Sequence, residues 1–268
     1  MENDLHDLHQ RLILLMNEVH RICMENNIQY TMMGGTLIGA MRHKGFIPWD
    51  DDFDIGMTYD NYQRFINVAF KLQHDWVEFY LAGRQDDFYC PFIKIYDKRT
   101  TLVQPERKPR GIFIDLFPIV PAGNSMVTAK LQFFRHRVFM ATLVRKQCDY
   151  KGFSVDSLLC KIGKFISVST LMNLIQKQYE SLAKKHRIYV SDMDGNTHGI
   201  VPSRLFEHYS LYPFEDSYFM GITKADEYLR LDFGDYMKIP PKEKQVPHHI
   251  EYLNLNLPYC EYKKVNNV

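Results

Sequence analysis

Four carboxylates fall within five positions of this 268-residue chain, at Asp50, Asp51, Asp52 and Asp54. Two unit charges about 4 Å apart repel by roughly 1 kcal/mol in bulk water and by about 4 kcal/mol at an effective dielectric near 20. A fold that holds such a cluster solvates it, protonates part of it or binds a cation there. In Asp52-Phe53-Asp54-Ile55-Gly56-Met57 a strand would set Asp52 and Asp54 on one face and Phe53, Ile55 and Met57 on the other. Two carboxylates projecting together suit a hard cation, Mg2+ or Mn2+. The plainer alternative is a solvated acidic turn, and the apolar alternation inside the run argues against it. A calcium EF-hand is excluded, because counting from Asp50 puts Ile55 where Gly is needed and Asn61 where Glu is needed.

A fifth acid, Asp115, sits inside the apolar run GIFIDLFPIV. A carboxylate there is costly unless it is paired or metal-bound. It fits as a third ligand from a neighbouring strand; a bond to Arg110 or to backbone is the alternative. Lys94 lies in a strand-like segment, either as a solvated edge lysine or as a phosphate contact. Gly34-Gly35 ends a strand-like stretch and opens a helix, an arrangement whose free backbone N–H groups can hold an anion. The glycines alone are weak evidence, since neither a Walker A lysine nor a G-x-G-x-x-G run accompanies them. Asp192/Asp194 looks like half a metal motif, but Gly195 and Asn196 favour a loop. His248-His249 either orients a phosphate, ligates metal or lies in a solvated loop.

The elements that must position these residues follow from periodicity. Leu5, Leu8, Leu12, Leu15, Val19 and Ile22 predict an amphipathic helix over 4–26. Short strands are expected at 28–32, 52–57, 76–81, 88–96, 100–103 and 111–120, and helices at 36–43 and 61–73. From 125 to 187 the chain turns helical and basic, and short strands with one helix at 224–232 follow. The expected division is a catalytic core at 1–122, a helical lobe at 123–190 and a C-terminal segment at 191–268 packing back on the core.

Hydrophobic residues make up 46% and charged residues 24%, as in an ordinary globular protein. A net charge of +1 gives no general attraction to nucleic acid. Five scattered cysteines form no C-x-x-C pair, so neither a disulfide framework nor a zinc site is indicated. The polar start MENDLHDLHQ and the lack of a long apolar run lead to the expectation of a cytoplasmic protein, with peripheral contact at the inner face of the membrane through the basic helices.

Three blocks in this order, GGTLIGAMRHKGFIPWDDDFDIGM, RGIFIDLFPI and LRLDFGDYMKIPP, resemble the LicD family of phosphocholine transferases of bacterial surface polysaccharides, which are related to fukutin-related protein. The resemblance spans most of the chain and is least distinctive in the central helices. It implies an α+β fold with a nucleotidyltransferase-like mixed sheet, helices packed on it and an added helical lobe. It also implies transfer of phosphocholine from CDP-choline to a sugar hydroxyl of a lipid-linked or polymeric glycan, in teichoic acid or lipopolysaccharide. On that reading Asp52, Asp54 and Asp115 hold Mg2+ or Mn2+ and do the catalysis. Gly34, Gly35 and Thr36 hold phosphate. Arg42, His43 and Lys44 offset diphosphate charge, with Lys94, Arg110 and His249 in support. Trp49, Tyr89 and Tyr96 offer aromatic faces for the quaternary ammonium, and Asp50 and Asp51 orient metal or headgroup. The rivals are nucleotidyl transfer, transfer of ribitol, glycerol or ethanolamine phosphate, and a non-catalytic binding protein.

Overall fold

The computed structural model describes residues 2–85, 88–105, 108–144, 161, 163, 165–184, 188–191, 199–247 and 250–263. Helix α1 (Glu2–Glu25) buries the expected leucine stripe, Leu8, Leu12 and Leu15 among it. After it come β1 (Thr31–Met32), α2 (Gly34–Arg42), β2 (Asp54–Thr58), α3 (Tyr59–Ala69) and β3 (Val77–Tyr80). The two glycines therefore lie inside the first turn of α2 rather than ahead of it. The segments expected as strands at 88–96 and 100–103 are one strand, β4 (Ile93–Val103), whose register against its neighbour shifts between Asp97 and Leu102. Five steps of β4 there span two of β5, so the strand is irregular between those pairs yet continues in the same sheet.

The longest strand, β5 (Arg110–Gly123), organises the mixed sheet. It runs parallel to β2 and antiparallel to β4, while β1 pairs antiparallel with β2. Strand β3 and the late β10 (Tyr252–Asn254) add to β4, and β6 (Tyr189–Ser191) with β7 (Ile200–Pro202) extend the far end of β5. The fold is α+β, as expected. Nearly every side chain of β5 is buried, because helices or neighbouring strands cover both faces. This is why it reads as an unbroken apolar run apart from Asp115.

Helices α4 (Met126–Val144) and α5 (Val168–Ala183) form a second apolar cluster with Val120 and Ala122 of β5, through Phe133, Leu143, Leu171 and Tyr179. The Ser167 side chain caps α5 by accepting from Thr170 N–H. Hairpin β8 (Tyr209–Phe214) and β9 (Ser217–Ile222) precedes α6 (Ala225–Phe233), which ends at Gly234 with φ +67°. The hairpin is sewn to the segment before the acids: Met220 N–H donates to the Tyr30 hydroxyl at 3.1 Å, and Ile222 N–H to Thr31 Oγ1 at 3.1 Å. Among the described residues no helix is long and apolar enough to cross a membrane.

Candidate active site

Strand register brings the acids together. Asp54 on β2 and Asp115 on β5 are direct partners, and Asp115 is in turn the partner of Lys94 on β4. Three ionisable side chains thus stand in a row across three adjacent strands. The Lys94 ammonium lies 2.6 Å from Asp115 Oδ1 and 2.8 Å from Oδ2. It also lies 3.5 Å from the centre of the Phe113 ring. Only 2% of Lys94 is exposed, so it is a buried counter-ion and not a solvated edge lysine. Asp115 meets Lys94.

The other acids arrive on the loop that runs back along α2. Asp50, Asp51 and Asp52 each offer an oxygen, all within 4.8 Å of one another, the spacing of ligands around one ion. Asp51 is buried and Asp52 half-buried. Asp54 feels two of them, Asp52 and Asp50. Burial first, then the charges of Asp52, Asp115 and Asp50, push its carboxyl well above the usual carboxylate range, and Lys94 only partly opposes them. An all-carboxylate donor set whose charges oppose one another fits a hard divalent cation, which would supply the missing positive charge. The geometry groups Asp50 and Asp51, expected only to orient metal or headgroup, at ligand spacing with Asp52.

Helix α2 is built to let these carboxylates approach. A Cβ on Gly35 would lie 2.7 Å from Asp50 Oδ2, and one on Gly34, where φ is +49°, would lie 3.4 Å from Asp54 Oδ2. The glycines therefore give the acids room at the positive end of the helix, where carboxylates are favoured. Thr36 is fully buried, and its hydroxyl accepts from Asp54 N–H at 2.8 Å. The Asp54 carbonyl accepts from Met33 N–H at 2.9 Å, and Asp115 N–H donates to the Phe53 carbonyl at 3.0 Å. Thr36 thus positions Asp54. Thr36→Val should strand that N–H at a cost of about 1–3 kcal/mol and weaken divalent-cation binding, whereas Thr36→Ser should keep both. Thermal unfolding with and without Mg2+ measures the difference.

Several expected contacts lie elsewhere. Arg42, His43 and Lys44 sit at the opposite end of α2, roughly 12 Å from Gly34 along the helix. Arg42 donates to the Tyr236 carbonyl at 2.7 Å and to His43 Nε2 at 2.9 Å. It ties α2 to the turn after α6 and does not line the acid cluster. Arg110 enters β5 five residues before Asp115, opposite Leu102 of β4. There it lies over the rings of Tyr80 and Tyr259, at 5.0 and 5.5 Å. Tyr96 is 5% exposed and packs edge-on against Tyr80, which removes it as a headgroup face. Trp49, next to the acids, and Tyr89 remain half-buried. His248, His249, Asp192 and Asp194 lie outside the described residues.

Two supports were not singled out in the sequence. His9 Nε2 is 2.7 Å from the Asp50 carbonyl, and its ring stacks on Phe46 at 4.0 Å. Burial holds its pKa below the usual value. Glu215, in the hairpin turn, accepts from Phe46 N–H at 2.9 Å. Both fix the loop that carries Asp50–Asp52, and both come from more than 40 residues away in sequence, beyond any local pattern.

A family model described as LicD/FKTN/FKRP, nucleotidyltransferase domain, matches residues 27–150. That span holds all five acids and Lys94. The chain is 32% identical over 255 residues to the lipopolysaccharide cholinephosphotransferase LicD of Haemophilus influenzae, covering 90% of this chain and 95% of that protein. It is also 31% identical over 117 residues to an uncharacterized protein of Rickettsia typhi, covering 40% of this chain and 37% of that one. An uncharacterized Rickettsia prowazekii protein matches at 48% over 50 residues, 19% of each chain.

Proposed function

This chain belongs to the LicD family, and from that premise we propose that it transfers phosphocholine from CDP-choline to a sugar hydroxyl of a cell-surface glycan precursor, the lipopolysaccharide type before teichoic acid. The observation that carries the proposal is the in-register row Asp54, Asp115, Lys94 beside the Asp50–Asp52 cluster. The Haemophilus relative's name gives the group transferred and the acceptor class.

Asp52 and Asp54, with Asp50 and Asp51 beside them, would hold Mg2+ or Mn2+. Bound there, the cation would offset charge gathering on the diphosphate as CMP leaves. The acceptor oxygen attacks the phosphorus that carries choline, and the bond from that phosphorus to the CMP phosphate oxygen breaks. The acceptor's proton passes to a carboxylate oxygen of the Asp54–Asp115 pair. Within that pair both Asp115 oxygens are held by Lys94. Lys94 keeps a fixed positive charge at the floor of the site. Trp49, next to Asp50 in sequence and half-buried, would offer an aromatic face to a choline headgroup, which cannot donate hydrogen bonds.

Expression in a bacterium whose own transferase of this family is deleted tests the reading. Surface phosphocholine, detected by antibody, should return with the wild-type chain and not with Asp52→Asn. Restoration by Asp52→Asn, or none by an expressed and folded wild-type chain, contradicts it.

A further inference from the structure

We infer that the outer face of α4 is a docking surface for an anionic lipid bilayer. The helix is apolar on two opposite sides. Ala129, Phe133, His136 and Leu143 face the interior and are buried. On the opposite side Val127, Leu131 and Phe134, at helical spacing, are 79%, 64% and 64% exposed. A surface helix that needs only one apolar face for its core has no use for a second in water.

The charges say what covers it. At 100° per residue, Lys130 and Arg137 border the exposed stripe on one side and Arg135 on the other. All three are exposed, and α4 contains no acid. This is the pattern of a helix lying in a bilayer interface, with its apolar side among acyl chains and its basic side chains at the phosphates. The surface continues beyond the helix. Gly163 packs on Thr142 near the end of α4, and Lys161 and Phe165 of the same segment are exposed, Phe165 by 92%. Over residues 124–187 the sequence has twelve lysines and arginines against three acids, in a chain whose net charge is +1. Positive charge is thus concentrated in this one stretch of the sequence. A second copy of the chain fits poorly there, since a two-fold contact would bring the same basic borders together.

The inference leans on the proposed function only for its purpose: a lipid-linked acceptor would be met at the bilayer. Co-sedimentation of the full chain with phosphatidylcholine vesicles, with and without about a third phosphatidylglycerol, tests it directly. Binding should require the anionic lipid and fall with salt. Replacing Lys130, Arg135 and Arg137 by Gln should weaken it on the order of a hundredfold. Leu131→Ser with Phe134→Ser should also weaken it, with unchanged thermal unfolding because both residues are exposed. No binding to anionic vesicles by the folded wild type overturns the inference. So does a wild-type dimer that the Ser variants convert to monomer without any vesicle binding. Transfer to a delipidated, water-soluble acceptor reports the proposed function separately. Vesicle binding without transfer upholds the surface and removes the function; transfer without vesicle binding does the reverse.

Discussion

Asp54→Asn should abolish most transferase activity and at the same time make the metal-free protein more stable. The loss should be about 10^3-fold, the scale for removing a group that both helps hold a catalytic cation and handles a proton. The gain in stability follows from the same electrostatics. Burial and the charges of Asp52, Asp115 and Asp50 raise the Asp54 pKa in the folded state above its unfolded value. Between those two values the folded state binds more protons than the unfolded one. Stability therefore falls as pH rises through that window, and above the folded-state value the metal-free protein carries the full repulsion. Asn removes the charge and keeps the shape. Thermal unfolding in chelator at neutral pH should show the variant melting higher than wild type, with the pH dependence from this group gone. Added Mg2+ should raise the melting temperature of wild type more than that of the variant. A variant that melts lower in chelator and responds equally to Mg2+ would show that Asp54 is an ordinary structural carboxylate.

Lys94→Met should be the most destabilising single change in the site. It leaves Asp115, whose side chain is 12% exposed, without its ammonium partner. Breaking a buried ion pair from one side costs about 3–5 kcal/mol. At 2–4 °C per kcal/mol for a chain of this size, the melting temperature should fall by roughly 10 °C. Replacing both partners, Lys94→Met with Asp115→Leu, should recover most of that loss, because the uncompensated charge is then gone. The double variant should still be inactive. Recovery of fold without activity separates the pair's chemical role from its structural one. A single variant as stable as wild type would mean that the pair is not buried in solution.

Local patterns in the sequence located the chemistry better than the geometry. Asp52 and Asp54 stood out because apolar residues alternate with them, and Asp115 because a charge interrupts a buried strand. That Asp54, Asp115 and Lys94 stand side by side is a matter of register between residues about 20 to 60 positions apart, which no local pattern encodes. The same limit hid the roles of His9 and Glu215, whose partners are distant. Arg42, His43 and Lys44 misled for the opposite reason. They lie between the glycines and the acids in sequence, but α2 carries them to its far end before the chain returns. The break expected between 96 and 100 is an irregular stretch within one strand, β4, where the register shifts between Asp97 and Leu102. The basic character of the helical region was legible, but the doubly apolar surface of α4 needed the structure to show which side the core takes.

The central claim is that this carboxylate row, with a divalent cation, moves phosphocholine and releases CMP. It is tested most directly by mass spectrometry of a reaction containing the purified chain, CDP-choline, Mg2+ and a lipopolysaccharide core oligosaccharide. Phosphocholine-bearing acceptor and CMP should form in equal amounts, stop with chelator and be absent with Asp54→Asn. A cytidylylated acceptor with free phosphocholine, or transfer undiminished in Asp54→Asn, would contradict it.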